Sequence, residues 1–104
     1  MNVIVSERAE CKLHQTADYI ESVFGKKARH NFLQDFRQDI IRLMNNPYMW
    51  TDEPLLSDFP SGYRSFVLNH INKVIYRIVD NTIEISDLWD CRRNPDALVA
   101  QLVS

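Results

Sequence analysis

The hydrophobic period of this chain changes once, and that change limits what it can fold into. Up to Asn45 the apolar residues recur every three or four positions; from Tyr63 onward β-branched and aromatic residues dominate short runs. The first pattern gives an apolar stripe on a helix and the second gives strands. Between them lies "NNPYMWTDEPLLSDFPSG", whose three prolines interrupt either period and predict a loop crossing the surface. Helices followed by strands, without βαβ alternation, predict an α+β domain.

The helical half divides in two. Ser6 is placed to cap a first helix, with Glu7 and Glu10 in its first turn, where carboxylates oppose the positive end of the helix dipole. Ala9, Leu13, Ala17, Ile20 and Phe24 form one face, and Gly25 ends the helix. A second helix is expected over 27–45, with Ala28, Phe32, Phe36, Ile40, Leu43 and Met44 as its stripe. So short a break makes the pair an antiparallel helical hairpin. Ahead of it, "NVIVS" reads as a short edge or opening strand.

The second half reads as a three-stranded antiparallel meander: "YRSFVLN", "KVIYRIV" and "TIEISDLW", joined at "HIN" and at "DN". Asn94 and Pro95 then open a closing helix with a small apolar face of Leu98, Val99 and Leu102. Alternation along the middle strand points Val74, Tyr76 and Ile78 at the hairpin and Lys73, Ile75, Arg77 and Val79 the other way. That second face mixes cations with aliphatics. It suits a surface that a partner covers, with the closing helix as cover for part of it.

Composition narrows the function classes. The chain has 104 residues, the size of one domain, and a net charge of −2. An acidic total does not draw in polyanions, so general nucleic-acid binding is disfavoured. No apolar run is long enough for a membrane span, and the N-terminus lacks the features of a secretion signal. Cys11 and Cys91 alone make no disulfide framework, so a cytoplasmic protein with reduced thiols and no cofactor is expected. Cys11 and His14 have a spacing that suits a metal, but two ligands without a third do not make a site. Trp50 and Phe59 read as anchors for the long loop, His70 as an exposed turn residue, and Trp89 as either core or interface. "KKARH" at 26–30 reads as solvated charge.

The order of elements, with "ADYIESVFG", "IIRLMNNP" and "GYRSFVLNHINKVIYRIVDNTIEISDLWDCRRNP", resembles the RelE/ParE family of toxins from bacterial type II toxin–antitoxin modules, in its ParE-like and plasmid-stabilisation branch. The resemblance spans nearly the whole chain and rests on combined pattern, since no single motif is strict. It implies a cytoplasmic toxin inhibited by a cognate antitoxin. ParE-like members poison DNA gyrase by binding, and RelE-like members cleave messenger RNA on the ribosome.

Cleavage of RNA through its 2′-hydroxyl needs a base, an acid and cations for the charge that builds on phosphorus. By position, Lys73 matches the central basic residue of RelE-like members, and Arg92 or Arg93 the arginine after the last strand. Arg64 and Arg77 add charge. The departures weigh more. No tyrosine follows Tyr76, no histidine follows His70, and Asp90 stands where many relatives carry a histidine. A carboxylate there repels phosphate. The ParE-like reading therefore leads, with gyrase as the implied target. Ribosome-dependent cleavage and a member that has lost toxicity are the alternatives. The expected partner surface comprises Arg64, Ile75, Arg77, Trp89, Arg92 and Arg93. For the arginine pair the plain alternative is an ion pair with Asp87, Asp90 or Asp96.

Overall fold

A computed structural model describes residues 1–59, 62–92 and 94–103. The element order is β1 (Asn2–Val5), α1 (Glu7–Phe24), α2 (Lys26–Asn45), a 3-10 turn (Pro54–Leu56), β2 (Arg64–Leu68), β3 (Asn72–Val79), β4 (Thr82–Asp90) and α3 (Pro95–Val103). Local signals account for most of these boundaries. The Ser6 hydroxyl accepts from the Ala9 amide at 3.1 Å and donates to the Ser86 carbonyl at 2.8 Å, capping α1 and tying it to β4. Gly25 separates α1 from α2 at φ +97°, a region that L side chains rarely enter. Asp80 and Asn81 both take positive φ in the two-residue turn between β3 and β4, as that turn geometry requires. The Asp96 amide donates to the Asn94 side chain at 2.9 Å, at the start of α3.

The sheet has four strands in the order β1-β4-β3-β2. Strands β2, β3 and β4 form the expected antiparallel meander. β1 joins it in parallel beside the first half of β4, pairing Asn2 with Thr82 through Val5 with Ile85. The opening strand is therefore an edge strand of a mixed sheet. The helical hairpin packs on one face, burying Ala9, Ala17, Ile20, Phe32 and Leu43 against Phe66, Val74, Tyr76, Ile83, Ile85 and Leu88. Each large side chain buried this way contributes about 1.5–3 kcal/mol.

A bulge in β4 decides what lies behind the sheet. Ile75 faces Asp87 while Tyr76 faces Ile85, so Ser86 is the extra residue. Without it, Asp87 and Trp89 would share the hairpin side with Ile83 and Ile85. With it, Leu88 takes the hairpin side, and Asp87 and Trp89 turn to the second face beside Ile75.

The second face is not open there. Ile75 (0 % exposed) and Trp89 (1 %) form a second core with Leu56 and Leu98, closed by Phe59, Tyr63, Val99 and Leu102. The expectation that Ile75 and Trp89 lie on a partner-accessible surface is corrected accordingly. The closing helix and the 3-10 turn cover them, because a Trp and an Ile on adjacent strands present too much apolar area to leave in water. The long loop is also more than a surface crossing. Its Glu53 and Leu56 are buried, and Trp50 stacks on Phe66 with ring centroids 4.3 Å apart. Among the described residues, no helix is long and apolar enough to cross a membrane.

Candidate functional site

A concavity lies between the helical hairpin and the β2–β3 end of the sheet, with a volume of about 710 Å³. Ile20, Phe24, Ala28, Phe32, Ile71 and Leu88 supply its apolar walls. The hairpin tip overhangs it: Tyr19, Val23 and Phe24 are all well exposed, Phe24 at 69 %. Across the groove from Ile20, Phe24, Ala28 and Phe32 lie Asn69, Ile71, Asn72 and Leu88 of the sheet end, and the two surfaces do not close on each other. Its rim is largely amide and hydroxyl, from Gln15, Thr16, Asn31, Asn69 and Asn72. Its charged lining residues balance in sign, Lys12 and Arg92 against Asp35 and Asp90.

The described candidate cations are spread over the molecule, and each of them has a carboxylate or carbonyl partner. Lys73 lies on the second face, with Nζ 2.9 Å from Glu53 Oε2 and 3.0 Å from Oε1. Glu53 is 1 % exposed and also accepts from the Ser65 hydroxyl at 2.6 Å and the Leu55 amide at 3.2 Å. Arg92 lies on the hairpin side, at the groove rim. It forks onto Asp90 with Nε to Oδ1 at 3.0 Å and Nη2 to Oδ2 at 2.8 Å. That hydrogen bonding raises the Arg92 pKa. Arg77 forks onto Glu84 and faces the Tyr63 ring, and the Glu84 hydrogen bond raises its pKa too. Arg64 donates to the Trp50 carbonyl at 2.7 Å, lies over the Tyr48 ring and approaches Asp52 at 3.7 Å. Arg93 lies outside the described residues.

Lys73 and Arg92 therefore sit on opposite faces of the sheet and do not converge on one phosphate-sized site. The nearby proton-transfer groups are also poorly placed for such chemistry. Burial pushes the Tyr76 phenol up to about 12, and its hydroxyl donates to the Pro47 carbonyl at 3.3 Å. Burial likewise raises the Cys91 thiol, which keeps it protonated. Among the described residues, no group of three or more His, Cys, Asp or Glu is placed to hold a metal ion. His70 is exposed in the β2–β3 turn, at positive φ.

Comparison with known proteins bears on the whole chain. The family model described as ParE toxin of type II toxin-antitoxin system, parDE, matches residues 3–95. The chain belongs to the ParE toxin family. The fold agrees. A solved structure described as the chromosomal ParDE TA system from P. aeruginosa superposes with a TM-score of 0.70 at 18 % identity, covering 86 % of this chain and 95 % of that one. A comparison with curated proteins returned no match.

For a ParE-family chain, two features here escape a reading of the sequence. Glu53 sits in a Pro-rich loop that looks like solvent-exposed connection, yet it is the buried counter-ion of Lys73. Its only local hint is the following Pro54, which starts the turn that carries it inward. Asp87 is the other. It is fully buried, receives the Trp89 indole N–H at 3.0 Å and the Leu88 amide at 2.8 Å, and pairs with Lys12 of α1 at 2.7 Å. Lys12 reads as an ordinary surface lysine on α1 until the open edge of β4, beyond the end of β1, is seen beneath it.

Proposed function

We propose that this chain is the toxin of a two-component type II module, and that it inhibits growth by binding an essential target. DNA gyrase is the target we assign. The cognate antitoxin lays a segment into the hairpin–sheet groove, with apolar side chains against Ile20, Phe24, Phe32 and Leu88 and with Arg92 at the rim fixing register. Membership of the ParE family supports the toxin assignment, and the groove volume is within the range that specific ligands occupy. The observation that carries binding over RNA cleavage is the dispersal of Lys73, Arg77 and Arg92, each already neutralised by a carboxylate of its own chain. Compensated cations on two faces do not assemble the preorganised positive site that phosphoryl chemistry requires.

The test is induction of the chain in cells without antitoxin, scoring growth, plasmid supercoiling and transcript integrity together. Growth arrest with altered supercoiling and intact transcripts is the expected result. Transcript cleavage with unchanged supercoiling would assign the chain to ribosome-dependent RNA cleavage instead. Normal growth with soluble, folded chain would mark a member that has lost toxicity.

A further inference from the structure

Lys12 belongs to two structures at once. It lines the groove, and it also reaches past the free edge of β4 to the closing helix. Its ammonium is 2.7 Å from Asp87 Oδ1 and 2.5 Å from Gln101 Oε1 of α3. Arg8, one turn earlier on α1, donates to the Gln101 backbone carbonyl. α3 is also held by apolar contacts, through Leu98, Val99 and Leu102 against Leu56, Ile75 and Trp89. α3 has nine residues, too few to stay helical in water by itself, so its structure depends on being docked.

We infer that Lys12 is a pin coupling the groove to α3: a carboxylate entering the groove beside it draws the ammonium from Gln101 and loosens the helix that covers Trp89 and Ile75. The partners of Lys12 differ in strength. Asp87 is a buried anion and retains its hold. Gln101 offers a neutral amide oxygen, a weaker acceptor for an ammonium than a carboxylate. The weak link is therefore the one to α3. Release opens the second core without disturbing the hairpin core, since the two clusters lie on opposite faces of the sheet. This deepens the groove reading by giving an occupant's acidic residues a regulatory effect. Its test needs no antitoxin and stands whatever occupies the groove.

Thr16 lines the groove one helical turn beyond Lys12, so Thr16→Glu places a carboxylate within reach of the ammonium. Thr16→Gln is the isosteric control. The readout is hydrogen exchange of the α3 amides in the isolated full chain, with β3 and β4 as internal reference. Losing one charge-assisted tie is expected to speed α3 exchange roughly tenfold in Thr16→Glu over Thr16→Gln, with the sheet unchanged. Equal α3 exchange in the two variants would overturn the coupling. The variant Gln101→Met removes the side-chain tie to α3 and leaves Lys12 on Asp87. Fast α3 exchange with a protected sheet supports the pin there, and α3 protection at the wild-type level would overturn it. If Thr16→Glu loses sheet protection as well, Gln101→Met decides by the same two outcomes.

Discussion

Replacing Lys73 with Met separates a structural lysine from a chemical one. Glu53 is sealed beneath the second face, and Lys73 is its sole cationic partner among the described residues, at 2.9 Å. Met matches the aliphatic stem of lysine but leaves the carboxylate buried without a counter-ion. Removing one member of a buried pair costs about 3–5 kcal/mol. That is a large share of the roughly 5–15 kcal/mol that holds a domain together. For a chain of this size the melting temperature should fall by about 12–20 °C. Adding Glu53→Gln removes the stranded charge. The Gln carbonyl still accepts from the Leu55 amide, and its NH2 meets the Ser65 hydroxyl oxygen, so Lys73→Met/Glu53→Gln should recover to within about 1–2 kcal/mol of wild type. Thermal and urea unfolding of the four chains of this cycle measures the coupling directly. Growth inhibition by the double variant then reports function at near-native stability. Lys73→Met melting with wild-type stability would refute the buried-pair reasoning. A stable double variant without toxicity would show that Lys73 acts at the target.

Three further outcomes are expected. The Tyr76 phenol titrates near 12 in the fold against about 10 unfolded, so the unfolded chain loses its proton first. Stability contributed by this group is complete below pH 10 and is lost as pH rises toward 12, by up to about 1.4 kcal/mol per pH unit, and Tyr76→Phe should flatten that decline in alkaline melts. Gly25→Ala meets no atom within 4 Å, but φ of +97° should cost about 1–2 kcal/mol, read as a drop in urea midpoint with unchanged slope. Phe24→Ala, at an exposed groove residue, should leave the melting temperature unchanged. It should weaken antitoxin binding roughly 10- to 100-fold by calorimetry, with little dependence on salt, because the groove's charged residues balance in sign.

Residues that act through their immediate neighbours were legible in the linear order. Ser6 caps α1, Gly25 breaks the hairpin, Asp80–Asn81 turns β3 into β4, and Asn94–Pro95 starts α3. Alternation along β3 correctly divided Val74, Tyr76 and Ile78 from Ile75. Trp50 and Phe59 do anchor the loop, and Arg92 makes the ion pair with Asp90 that was its plain alternative. The candidate site was less legible. The groove depends on how the hairpin sits over the β2–β3 end of the sheet, which no spacing states.

Caps, turns and hydrophobic period are written within a few residues of where they act, so the order of amino acids by itself determined the elements, their class and the apolar faces. Tertiary structure alone decided the parallel docking of β1, the Ser86 bulge that sends Trp89 to the second face, and how completely α3 and the 3-10 turn close that face. It also made Glu53 and Asp87 the buried partners of Lys73 and Lys12. Most of these join residues 20 or more positions apart in the chain, and the bulge shifts a strand's parity by one, so they leave little local mark. Their free energy comes from surfaces that meet only once the chain has closed on itself.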